Sequence, residues 1–149
     1  MLGAALAVLV LVVALRLPRS RRSLVFALLM AASAGIYLGA ALGLRYTPAM
    51  VAETAAFLVF GIAAFAGART PIILGLVWPA HAIWDLVHYF EFVQTPLPRI
   101  YEVACFAADL VWGFMILGRT DLFLPGRSSR APAPDVPRST HEDGPLDAA

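Results

Sequence analysis

The sequence has no lysine, a single cysteine and few charges of either sign. Its eleven basic residues are all arginine, so no lysine amine is available as a Schiff-base or general-base group. Cys105 has no intrachain partner. That excludes a disulfide-stapled domain and leaves the redox compartment open. Charged residues make up 14% of the 149 positions, and the formal net charge is +1. This balance offers no electrostatic footprint for nucleic acid. Hydrophobic residues reach 60%, against roughly 45–50% in soluble domains, and mean hydropathy is +0.79. A water-soluble enzyme and a disordered regulator are therefore excluded too. The length suits one domain, and no internal repeat is evident. The chain reads as a small, all-α, multi-pass membrane protein.

A helix that crosses a bilayer needs about 20 mostly apolar residues. Five segments approach that length: 1–17, 24–44, 48–68, 71–93 and 98–118. The first is the shortest. The connections are short, so consecutive spans should be antiparallel neighbours. The third and fourth spans open on Thr47-Pro48 and Thr70-Pro71. Threonine is suited to capping the free N–H groups, and proline fits the first turn. Pro98 opens the fifth span in the same way.

Arginine bias near the span ends sets the expected orientation. Arg16, Arg19, Arg21, Arg22, Arg69, Arg119, Arg127 and Arg130 fall on one side, and Arg45 and Arg99 on the other. Eight against two places the N-terminus outside and the C-terminus in the cytoplasm. The positive charges of the first span follow its apolar run, which fits a reverse signal anchor better than a cleavable signal peptide. Residues 125–149 hold five prolines and almost no large apolar side chain. This stretch is expected to be a disordered cytoplasmic tail. The trio His141, Glu142 and Asp143 within it is a weak metal-binding pattern.

Ala31, Gly35, Gly39 and Gly43 recur every four residues in the second span. Such a small-residue stripe lets two backbones approach closely. It fits either an internal helix contact, the favoured reading, or a homodimer interface. Ser33 and Tyr37 lie off the stripe and could lend a hydroxyl to a polar site.

The fourth span carries the most informative segment, Trp78-Pro79-Ala80-His81-Ala82-Ile83-Trp84-Asp85-Leu86-Val87-His88. At 100° per residue, His81, Asp85 and His88 fall within about 60° of one another. Ionisable groups in a span face the bundle interior and mark functional sites by default. Asp85 is one turn from each histidine and can share a metal with either. His81 and His88 are about 10 Å apart along the axis, so one ion does not easily bind both. A haem held by both is excluded, because axial ligands approach from opposite faces. Pro79 frees the carbonyl of Gly75 and is expected to kink the helix. Trp78 and Trp84 read as packing residues.

The fifth span adds Glu102, Cys105 and Asp109 on one face, and the third adds Glu53. Depth estimates at ~1.5 Å per residue place these groups and the histidines in the outer half of the membrane, with Glu53 and Glu102 close enough to the surface to be interfacial. Glu91 is nearer still and reads as solvated. Four carboxylates and two histidines thus lie within spans whose arginines, Arg16 and Arg99, sit only at the ends. Burying those charges unaided is untenable. Protonation, a divalent metal such as zinc, or external water would each resolve it. The candidate ligands are His81, Asp85, His88, Asp109, Glu102 and Glu53, not all at once. Asp85, His88 and Asp109 are the candidate catalytic residues. Cys105 reads first as a small apolar filler.

The segment Trp78, His81, Trp84, Asp85 and His88, followed by Cys105 and Asp109, resembles a family of small bacterial integral membrane proteins classed as a domain of unknown function. A Trp-His-Trp-Asp-His helix is that family's hallmark. The resemblance covers roughly the second to fifth spans. It implies a multi-pass protein of the bacterial cytoplasmic membrane and importance for the stripe, but supplies no reaction. A weaker resemblance, of chemistry only, is to the seven-helix intramembrane hydrolases that include alkaline ceramidases, which hold zinc with histidines, an aspartate and a serine.

Three functions remain open. A metal-assisted or acid/base enzyme would act on a lipid or isoprenoid substrate taken from the bilayer. A transporter or binding protein would relay protons or a metal ion. It would need ionisable groups below His81, and the inner parts of the third to fifth spans hold none before Arg69 and Arg119. A structural or accessory protein would use the cluster only to lock its helices.

Overall fold

The computed structural model describes residues 2–124. It consists of α1 (Leu2–Leu15), α2 (Arg19–Leu44), α3 (Thr47–Gly67), α4 (Pro71–Tyr89), α5 (Arg99–Gly118) and a 3-10 turn at Thr120–Leu122. No strand occurs among the described residues. The expected tail, with His141, Glu142 and Asp143, lies outside them.

Four helices, α2 to α5, are long and apolar enough to cross a membrane, and the chain is a multi-pass membrane protein. The first expected span is a 14-residue helix. It rises about 21 Å, short of the ~30 Å hydrocarbon core. Large apolar side chains such as Leu58, Ile62, Leu76, Ile83 and Phe114 point outward. Lipid tails suit that surface as water would not. The polar side chains are turned inward instead.

α4 packs against α5 and α3, α3 against α2, and α1 against α5. Toward the N-terminal end of α4 the core is aromatic. Trp78 and Trp112 meet edge to face with ring centroids 4.7 Å apart, and Phe26 meets both of them and Phe123. The Trp112 indole donates to the Ala7 carbonyl at 2.9 Å, which holds α1 on α5. The Arg22 guanidinium donates to the carbonyls of Leu15, Leu17 and Leu122. It satisfies orphan acceptors where α1 ends and the 3-10 turn closes.

α4 runs unbroken through Pro79. Proline leaves the Gly75 carbonyl without its helical donor, and α5 closes on that spot through Gly113. A Cβ there would overlap the Pro79 ring and lie 3.1 Å from the Gly75 oxygen. His81 is two residues beyond Pro79, and Asp109 is one turn before Gly113. The close approach therefore turns these two side chains toward each other.

Several sequence expectations need correction. Neither Thr47 nor Thr70 caps its helix with a side-chain hydrogen bond. Pro48 and Pro71 do occupy the first turn, where their fixed φ suffices. α4 ends at Tyr89 rather than Val93. It stops in a Schellman motif: Phe92 N–H bonds the Val87 carbonyl at 3.0 Å and Glu91 N–H the His88 carbonyl at 2.7 Å. Glu91 takes the left-handed conformation, with φ 61°. Among the three glycines of the small-residue stripe only Gly35 faces another helix, with Phe57 3.5 Å from its Cβ position. Gly39 and Gly43 meet nothing within 4 Å among the described residues, so of the glycines only Gly35 makes the favoured internal contact.

Gly113→Ala should destabilise the protein by about 1–3 kcal/mol through overpacking, while Gly39→Ala should stay within about 0.5 kcal/mol. Thermal unfolding in mild detergent measures both. Equal behaviour of the two variants would contradict the α4–α5 approach.

Candidate functional site

Six ionisable side chains converge inside the bundle. Glu53, Asp85, Glu102 and Asp109 are 1–3% exposed, and His81 and His88 0–1%. Glu53 and Glu102 are thus buried rather than interfacial. Glu91 is exposed, as expected, and pairs with Arg99 at the surface. Among the described residues, no arginine is paired with any of the six.

The stripe on α4 resolves into two groups. In the first, His81 Nδ1 and Asp109 Oδ2 are 2.7 Å apart and share one proton. Asp85 Oδ1 is 3.9 Å from the same nitrogen and accepts a 2.8 Å hydrogen bond from the Tyr37 hydroxyl. The three residues offer ligand atoms within 4.8 Å of one another and could hold a metal ion. His81 Nε2 and Asp85 Oδ2 are buried without a hydrogen-bond partner. Such atoms are costly unless something else meets them.

In the second group, His88 Nε2 is 2.9 Å from Glu53 Oε1. Neither atom has an aligned hydrogen-bond partner. His88 Nδ1 faces the Val93 carbonyl at 3.1 Å. A carbonyl only accepts, so Nδ1 carries a proton. Glu53 Oε2 accepts from the Trp84 indole at 3.3 Å. The Tyr37 ring stacks on His88, with centroids 4.2 Å apart and planes 7° from parallel. Tyr37 is the element common to both groups, with its ring on His88 and its hydroxyl on Asp85. The sequence estimate that one ion cannot serve both histidines agrees with this division.

Three cavities reach the cluster. A 510 Å³ groove between α1, α2 and α5 is apolar, walled by Ile100, Ala104, Ala108 and Trp112, with Asp109, Tyr101, Cys105 and Ser33 at its lining. A 380 Å³ cavity near the C-terminal end of α4 is polar and lined by His88, Gln94, Thr95, Arg99 and Glu102. A 210 Å³ cavity, mostly apolar with Leu86, Val103 and Phe106 in its wall, is lined by Asp85 and again by Glu102. Glu102 thus borders both the polar cavity and the one that reaches Asp85. Its Oε2 is buried and unpartnered.

The structure brings together His81, Asp85 and Asp109, pairs His88 with Glu53, and sets Glu102 at the approach. Trp84, read as packing, is instead a hydrogen-bond donor to the site. Its position one turn before His88 was the available signal. Val93 contributes through its backbone and leaves no trace in residue type. Trp78 is a core residue, as read. Cys105 faces the apolar groove beside Asp109 and belongs to neither group.

A model of the Family of unknown function (DUF6010) matches residues 1–120, and the chain belongs to that family. No curated protein and no solved structure matches it.

Tyr37→Phe removes the donor to Asp85 and should cost roughly 1–3 kcal/mol, the penalty for stranding a buried acceptor. Ser33→Ala, in the groove wall, should change stability by less than about 0.5 kcal/mol. Thermal melts of the two variants against the parent protein check the difference.

Proposed function

We propose that this member of the family is a membrane-embedded, metal-assisted enzyme acting on a lipid or isoprenoid substrate. One observation carries the reading: the His81–Asp85–Asp109 group borders apolar space on two sides, with a polar cavity beyond Glu102. Asp109 lines the apolar groove, and Asp85 lines a cavity shared with Glu102, which also borders the polar one. A hydrocarbon chain suits these two apolar approaches, and water has its nearest approach in the polar cavity beyond Glu102. The arginine distribution supports placing the polar cavity on the outer side, in the bacterial cytoplasmic membrane. In this reading α1 is a fifth crossing element, with the bilayer thinned around it.

The donor set fits a divalent cation. Imidazole and carboxylate suit zinc and its neighbours, and no arginine neutralises the acids. Such an ion would supply Lewis acidity and an activated water. The chain's own residues do the rest. Asp109 shares a proton with His81 and fixes its ring. The Tyr37 hydroxyl fixes Asp85. Ile100, Ala104 and Ala108 hold the apolar part of the substrate away from water. His88 stands apart with Glu53 and takes no direct part. The aromatic core of Phe26, Trp78, Trp112 and Phe123 fills the other half of the bundle, which favours catalysis over a through-going transport path.

The test uses protein purified without a histidine-rich tag in mild detergent. Metal analysis should find a bound divalent ion, and Asp109→Asn and Asp85→Asn should weaken its binding about 10–100-fold or more. Turnover in a panel of bilayer lipids, long-chain amides and isoprenoid alcohols should fall with it. Metal-free parent protein under metal-replete conditions, or unchanged binding in both variants, would sink the proposal.

A further inference from the structure

We infer that Glu53 and His88 form a second divalent-cation site, separate from the His81–Asp85–Asp109 group and opening on the polar cavity. Each side chain is anchored through one atom and bare at the other. His88 Nδ1–H is held by the Val93 carbonyl, and the Tyr37 ring fixes the imidazole plane. In the neutral imidazole that leaves Nε2 as the lone-pair nitrogen. An N–H held by a backbone carbonyl is the usual support of a metal-ligating histidine. Glu53 Oε2 is held by the Trp84 indole, which leaves Oε1. The two bare atoms lie 2.9 Å apart, both buried and both without a hydrogen-bond partner.

Two lone-pair atoms at that distance repel unless something positive sits against both. Ligands on zinc-like ions at about 2.1 Å are about 3.0 Å apart at a right angle and about 3.4 Å apart at the tetrahedral angle. The observed separation fits a cation with little movement of either side chain. The inner pair differs. His81 Nδ1 and Asp109 Oδ2 are already joined by an aligned 2.7 Å hydrogen bond, so the proton between them would have to leave before an ion could enter there.

Access and a third donor are also in place. His88 lines the 380 Å³ polar cavity, and so does Glu102, 3% exposed with Oε2 unpartnered. Water would complete the shell from that cavity. The Schellman turn that ends α4 builds the site, because it folds residues 90–93 back and delivers the Val93 carbonyl to His88. The two histidines are about 10 Å apart along the axis, and their unpartnered atoms belong to separate groups. The outer ion would therefore bind on its own and be the first that a cation from the polar side meets.

The test is a zinc titration of the full-length, chelator-stripped protein in mild detergent, read by equilibrium dialysis. The parent protein should bind an equivalent that Glu53→Gln and His88→Gln each weaken at least tenfold and that Asp109→Asn leaves in place. Glu102→Gln should weaken it less. Tryptophan fluorescence gives a readout free of ligand variants: zinc should change the parent's emission, and Trp84→Phe should remove most of that change. Zinc binding that only Asp109→Asn weakens would overturn this inference and keep the proposed inner centre. Zinc binding that only Glu53→Gln and His88→Gln weaken would support it and overturn the inner centre. No zinc-induced change in Trp84 emission, with no equivalent bound, would overturn it as well.

Discussion

The structure depends on one electrostatic constraint: four carboxylates are buried in a helix bundle in which, among the described residues, no arginine pairs with them. Isolated carboxylates cannot stay charged in that environment, so every arrangement around them is an answer to the missing positive charge. Two histidines, a tyrosine hydroxyl and a tryptophan N–H supply part of it. Each acid is met by at most a few of these donors. The remainder falls on shared protons, water or a cation. Four of the unpartnered polar atoms, His81 Nε2, Asp85 Oδ2, His88 Nε2 and Glu53 Oε1, mark where the protein's own groups stop short.

Backbone packing meets that constraint through two devices. Gly113 allows α5 to lie against Pro79 and the Gly75 carbonyl, and this approach sets Asp109 against His81. The left-handed Glu91 closes the end of α4 and turns the loop back over His88. Neither device touches a ligand. Both decide the geometry that a ligand would meet. The aromatic core and the Arg22 carbonyl clamp secure the other half of the bundle, so the polar cluster sits between an aromatic floor and an open polar mouth.

Much of this was legible in the sequence because helical periodicity and membrane cost are local properties. The apolar runs revealed five helices, and the ionisable residues within them identified all six members of the cluster. The 3.6-residue period showed that His81 and His88 cannot easily share one ion. Other features were hidden because they depend on neighbours far along the chain. Periodicity alone could not choose Asp109 for His81 or Glu53 for His88. The polar use of Trp84, the part played by the Val93 carbonyl and the stacking of Tyr37 also needed the packed bundle.

By itself the sequence determined an all-helical membrane protein with an acidic and histidine-bearing interior, because composition and spacing fix which side chains avoid lipid. It also set the α1 segment as the shortest. Only the tertiary structure decided that this helix is too short to match the others, that Gly39 and Gly43 face outward, and that the polar stripe divides into two groups. The reason is the same in each case. Periodicity tells which face of a helix is polar, but the partner of that face is chosen by where the other helices come to rest.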